Sequence, residues 1–126
     1  MTARPLPTVL LVAAIGLAAA CPARAQDATT GADVFKSRCA ICHSVAEGRN
    51  MVGPSLFGVV GRPAGTIPGY RYSAAMRNSG LTWDAATLDS YLTNPALVVP
   101  QTTMTYGGLS DARTRADLIA YLSTLH

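Results

Sequence analysis

Lysine is almost missing from this chain: Lys36 is the only one in 126 residues. Arginines and acids nearly cancel. With Arg4 and Arg24 of the N-terminal segment set aside, eight basic residues stand against seven acidic ones, a net charge of +1. That balance leaves no basic footprint for nucleic acid. Histidine is scarce as well, with His43 and the terminal His126 alone, which argues against a site built on two imidazoles. Cysteine is limited to Cys21, Cys39 and Cys42. No second Cys pair or His pair follows, so the four protein ligands of a structural zinc are not there. The one long apolar run, Val9 to Ala20 broken only by Gly16, is too short to span a bilayer as a helix. No internal repeat or low-complexity segment appears, and the length suits one domain.

What the N-terminus does have is the layout of a leader. Arg4 supplies a positive start, the apolar run follows, and Ala23-Arg24-Ala25 forms an A-x-A cleavage site before Gln26. The expected organisation is a signal peptide over 1–25 and one mature domain over 26–126, exported to the periplasm. Ala18-Ala19-Ala20-Cys21 matches a lipid-attachment box only loosely, because Leu17 lies one position early. Lipidation at Cys21 is the minor alternative, and no stable membrane anchor is expected.

The mature chain then keeps two thiols, both in Cys39-Ala40-Ile41-Cys42-His43. C-x-x-C-H reads as covalent haem c attachment. Two thiols three positions apart can add to the two vinyl groups on one porphyrin edge. His43 follows where its imidazole can turn under the iron as the proximal ligand. A thioredoxin-like redox pair would need a βαβ setting, which this sequence does not offer. One covalent haem c is the expected cofactor.

Around the motif the pattern is helical or irregular. Thr30-Gly31-Ala32-Asp33 has capping-box spacing ahead of Val34, Phe35, Arg38 and Cys39, so a first helix should deliver the chain into the motif. From Ser44 to Tyr72 glycine and proline recur too often for helix or strand, and a bound disc is expected to replace the missing elements as core. A short helix over Ser73 to Asn78 follows, then one over Trp83 to Asn94 capped by Thr82. One further turn over Ala96 to Val99 comes before Pro100. Ser110 is expected to cap a last helix with a stripe of Leu118, Tyr121, Leu122 and Leu125. The fold class is all-α with long loops.

The second axial ligand is read by elimination. Met1 lies in the leader, and Met51 is only eight residues beyond His43. Met76 falls in a helical stretch, where packing is the usual role of methionine. Met104 sits in the irregular run Pro100 to Gly108 and serves no helical stripe, so it is the favoured ligand. With both axial positions filled the iron has no open site for a substrate, which points to electron transfer and away from catalysis.

Several stretches together resemble the class I cytochromes c, the soluble mitochondrial and photosynthetic-bacterial type. They are the haem motif, Gly53-Pro54-Ser55-Leu56, Gly61-Arg62, Pro68-Gly69-Tyr70-Arg71-Tyr72, Leu81-Thr82-Trp83, Tyr91-Leu92-Thr93-Asn94-Pro95, Pro100 through Met104, and Asp117-Leu118-Ile119-Ala120-Tyr121-Leu122. The resemblance implies a fold in which the N- and C-terminal helices cross at Gly31 and Phe35 against Leu118 and Tyr121, with short helices and loops around one haem. It also implies that the Pro54 carbonyl accepts from the axial imidazole and that Tyr91 lies near the ligand sulfur. Trp83, Tyr72 and Arg62 match groups around the haem propionates, and Tyr106 stands where the family often has Phe, over the haem edge. Met76 departs from a common Asn. The lysines that ring the haem edge in relatives are replaced here, with Ala96, Leu97, Val98 and Thr103 giving an uncharged edge.

The function these features imply is a soluble periplasmic carrier of single electrons, not an enzyme. Its transient partners would be a membrane quinol:cytochrome c reductase as donor and a terminal oxidase or photosynthetic reaction centre as acceptor, with the carrier itself monomeric. Two other readings stay open: a dedicated electron-accepting subunit of one periplasmic dehydrogenase, and a ligand binder or peroxidase with a labile sixth site.

Overall fold

The computed structural model describes residues 25–126; the leader and Cys21 lie outside the described residues, apart from Ala25. Five helices run in chain order: α1 Ala28–Arg38, α2 Ala74–Arg77, α3 Ala85–Thr93, α4 Pro95–Val98 and α5 Ala112–Leu122. The only β pairing among the described residues is an isolated antiparallel bridge between Pro63 and Thr82.

α1 begins earlier than the Thr30 box suggested. Asp27 is its N-cap, accepting from the backbone N–H groups of Thr29 and Thr30, while the Asp27 N–H donates to Asp117 Oδ1 at 2.8 Å. Asp caps better than Thr, and here its own backbone is also anchored on the far helix, which settles the competition. At the other end α1 hands the chain directly to the haem motif, with Cys39 and Ala40 N–H both donating to the Phe35 carbonyl.

α1 and α5 cross at contact distance. A Cβ on Gly31 would lie 1.9 Å from the Asp117 carbonyl oxygen, so only glycine allows the two backbones to meet there. Phe35 and Tyr121 stack beside the crossing with ring centroids 5.7 Å apart. α5 buries Leu118, Ile119 and Leu122, while Tyr121 and Leu125 are only half-buried. Its cap is Asp111, one residue beyond Ser110, because the Asp111 carboxylate takes both the backbone N–H and the hydroxyl of Thr114.

Thr82 does not cap α3, and Trp83 is not in it. Gly61 N–H donates to the Trp83 carbonyl, Trp83 N–H to the Arg62 carbonyl and Ala64 N–H to the Leu81 carbonyl. With residues 81–83 paired to 61–64, the helix starts only after Asp84, whose carboxylate accepts from Thr87 N–H at 2.7 Å. Pro95 does not simply end α3 either: it is the first residue of α4, capped by Asn94. Buried Arg115 ties the helices to one another, donating to Asp89 of α3 and to the carbonyls of Leu109 and Ser110.

The segment 44–72 holds no helix or strand, and side-chain bonds join scattered backbone bonds in fixing its course. Asn50 donates to the Pro68 carbonyl at 3.2 Å and accepts from Ser55 N–H at 3.0 Å. Tyr70 donates to the Val52 carbonyl at 2.7 Å. The Arg62 guanidinium reaches the carbonyls of Phe57 and Ser55.

Candidate functional site

One cavity of ≈ 320 Å³ lies between the α1–α5 pair, α3 and the loops. Every sequence-assigned site residue lines it: Cys39, Cys42, His43, Arg62, Tyr72, Trp83, Tyr91 and Met104. Met76 and Tyr106 line it too, while Met51 is an exposed loop residue outside it. Most of the remaining wall is aliphatic, including Val59, Leu88, Leu92, Leu118 and Leu122, which suits a flat apolar group.

Each named side chain arrives there for a local reason. The turn after α1 is closed by Cys42 and His43 N–H donating to the Cys39 carbonyl, which sets both thiols and the imidazole on one side. Burial pushes the Cys39 thiol up to about 11, and the neighbouring Cys42 adds to the effect. His43 Nδ1 donates to the Pro54 carbonyl at 2.8 Å, so Nε2 keeps its lone pair for another partner. Burial lowers the His43 pKa against the opposing pull of that hydrogen bond, which keeps the ring neutral. A Cβ on Gly53 would stand 2.3 Å from His43 Cε1, so the ring occupies the space a side chain would need.

Across the cavity the Met104 sulfur accepts from the Tyr91 hydroxyl at 3.7 Å. Thr102 completes this corner, its hydroxyl 3.3 Å from Tyr91 Oη and 3.3 Å from Met104 N, which donates to it. The preceding Gln101 takes φ 66°, a left-handed backbone unusual for a residue with a side chain. Trp83 packs on Tyr91 with centroids 4.8 Å apart. Burial raises the Tyr91 pKa, opposed by the Thr102 contact, so the phenol stays protonated and able to donate.

Tyr72 lies at the other rim, its hydroxyl accepting from Ile67 N–H at 3.3 Å and its pKa raised by burial. Burial lowers the Arg62 pKa, opposed by Tyr72, yet an arginine remains charged. Its cation donates to the carbonyls of Phe57 and Ser55, and no carboxylate among the described residues lines the cavity to balance its charge, which suits an anionic group there. The buried Tyr106 hydroxyl has no hydrogen-bond partner among the described residues. Paired thiols, a neutral imidazole, a thioether, a caged cation and an orphaned hydroxyl around one apolar cavity fit a covalently held haem with two carboxylates.

Sequence reasoning assigned no role to Asn50 or Thr102, nor to the Ser55 and Tyr70 side chains. Thr102 had a findable signal, a hydroxyl two residues before a backbone N–H that needs a partner. The Asn50 and Tyr70 partners lie eighteen residues away in sequence, and no local pattern announces such pairs.

Comparison with known proteins agrees with this geometry. The cytochrome c family model matches residues 28–126. Cytochrome c2 of Rhodomicrobium vannielii is 53% identical over 103 residues, covering 81% of this chain and 82% of that protein. Cytochrome c of Euglena viridis is 44% identical, covering 79% of this chain and 97% of that one. Among solved structures, cytochrome cH from Methylobacterium extorquens superimposes with a TM-score of 0.74 at 45% identity, covering 78% of this chain and 98% of that chain.

Proposed function

The chain belongs to the cytochrome c family and carries one covalent haem c, and from that premise we propose that it is a diffusing single-electron carrier. The observation that carries the reading is the placement of His43 and Met104 on one cavity, each held by a second group. The haem iron supplies a one-electron ferrous–ferric couple.

The residues divide the remaining work. Cys39 and Cys42 hold the porphyrin edge by thioether bonds. His43 would offer Nε2 to the iron, its ring oriented and made more basic by the Pro54 carbonyl. Met104 would offer its sulfur as the other ligand, with Tyr91 and Thr102 fixing that side chain. A soft thioether and an apolar wall both disfavour the ferric charge, which sets a high potential. Arg62, Tyr72 and Trp83 lie where they would meet the propionates. With His43 and Met104 both engaged in holding the iron, no side of it would be left for a substrate, which supports electron carriage over catalysis.

The leader reading supports a periplasmic location. There the carrier would take electrons from a membrane quinol-oxidising complex and pass them to an oxidase or reaction centre, meeting each transiently as a monomer. Purified protein should show a low-spin haem c spectrum in both oxidation states and a single reversible redox transition. Met104→Ala should abolish the weak sulfur-to-ferric-iron absorption band, lower the potential and open the iron to carbon monoxide. If Met76→Ala does this and Met104→Ala does not, the ligand assignment is wrong.

A further inference from the structure

Ile41 and Val52 are among the most exposed large apolar side chains of the described residues, at 83% and 76%. Both stand on the rim of the haem cavity. They are also neighbours: the residues that follow them, Cys42 and Gly53, are joined by a hydrogen bond from Gly53 N–H to the Cys42 carbonyl at 2.8 Å. Neither sits on a loose loop. The Ile41 turn is closed on the Cys39 carbonyl, and the Val52 carbonyl is held by the Tyr70 hydroxyl at 2.7 Å. An exposed apolar pair on fixed backbone loses little entropy when a partner covers it.

Charge at this rim is one-sided and sparse. No acidic side chain lines the cavity. Arg38 lines it, is exposed, and pairs with no carboxylate among the described residues. Arg62, the other cation, is occupied with the carbonyls of Phe57 and Ser55.

We propose that Ile41 and Val52 form the docking contact for the redox partner, whose matching face is apolar, near neutral, and carries one carboxylate opposite Arg38. This rests on the carrier reading and goes beyond it by giving the chemistry of the partner surface. Of the uncharged edge expected at Ala96, Leu97, Val98 and Thr103 only Thr103 lines the cavity, and the exposed apolar pair comes instead from the haem-motif turn and the Val52 loop. Charge steering lifts association from about 10⁵–10⁶ to about 10⁸–10⁹ M⁻¹s⁻¹ at low salt, and that benefit disappears when salt is added. A contact made by two aliphatic side chains and one ion pair has little to lose.

The test is the rate at which membranes of the source organism reduce or oxidise the purified holoprotein, from about 0.01 M to 1 M salt, over which the screening length falls from about 30 Å to about 3 Å. The native rate should change by less than about threefold across that range, unlike a steered pair. Ile41→Asp and Val52→Asp should each lower it about tenfold at high salt, where repulsion is screened, a loss typical of a central contact. Val60→Asp, an exposed valine off the cavity rim, should leave it unchanged. Reduction by dissolved hydroquinone needs no docking face and should be equal in all variants. A steep fall with salt, or Ile41 and Val52 variants that behave as Val60→Asp does, would overturn the docking proposal while leaving the carrier intact. Membranes that neither reduce nor oxidise the native protein at any salt would overturn the carrier reading itself, and the docking proposal with it.

Discussion

Two parts of this molecule need a fixed backbone and obtain it by opposite means. Where α1 crosses α5, helices supply their own hydrogen bonds, and one missing side chain lets the two backbones touch. In the 44–72 segment there is no regular element; an amide and a phenol spend their donors on carbonyls eighteen residues away, and a guanidinium on carbonyls five and seven residues back. The first region is held by shape, and the second by a few directed polar contacts around the cavity. Damage should therefore differ in kind. Crowding at the crossing should unfold the protein, whereas trimming the segment should first disturb the site.

Gly31→Ala should give the largest stability effect. In an ordinary helix this substitution gains up to about 1 kcal/mol. Here the added Cβ would overlap the Asp117 backbone, so a loss of about 3 kcal/mol is expected, as for severe overpacking. Denaturant unfolding of the holoprotein measures it, and a stabilised variant would show that the helices can part cheaply. Gly53→Ala is the matching change in the loop segment. The obstacle there is the His43 ring, 2.3–2.8 Å from the new carbon. Its mark should be an altered optical spectrum and a shifted potential, with a smaller loss of stability than at Gly31. An unchanged spectrum would show that the ring has room to yield.

The same contrast explains what could be read from the sequence. The crossing of Gly31 and Phe35 on Leu118 and Tyr121 was implied by the family resemblance, while helical spacing announced only the two helices themselves, and the C-x-x-C-H motif announced the cofactor. Boundaries were less legible. Thr30, Thr82 and Ser110 all looked like caps, and in each case a nearby Asp took the role, at positions 27, 84 and 111. Tertiary contacts moved two of these starts: Asp117 on Asp27, and the 61–64 pairing on Thr82. The loop segment was legible only as a place where periodicity stops. Its bonds join residues whose separation no local pattern encodes.

A middle-sized effect should come from Asn50, whose amide joins both halves of the loop segment. Asn50→Ala removes two hydrogen bonds, a loss of about 1–2 kcal/mol. If the segment works as a unit, the Ser55 and Leu56 amides should exchange hydrogen faster together, while amides of α1 and α5 stay protected. Uniform loss of protection in both regions would erase the distinction drawn here.

The smallest effect concerns acid, and it separates the two regions by chemistry. Asp84 and Asp111 have pKa values lowered from 3.8, Asp84 first by its Thr87 backbone bond and Asp111 first by its Thr114 hydroxyl bond. A carboxylate whose folded pKa is depressed contributes stability above its unfolded value. That contribution is lost as pH falls through the folded value. Both caps belong to helices, α3 and α5. The loop segment instead relies on Asn50, Tyr70 and Arg62, none of which changes charge in acid. Below the ordinary carboxylate range the helix starts should therefore loosen before the loop contacts do. Asp111→Asn separates the charge from the cap, since Asn caps a helix about as well as Asp but does not titrate. At neutral pH the variant should unfold close to the native protein, since the missing charge sits at an exposed helix start where solvent screens it. As pH drops below about 4 the two melting curves should converge, because only the native cap is being protonated. Parallel curves down to the acid limit would mean that the Thr114 bonds survive protonation and that α5 is held by Arg115 and its packing alone.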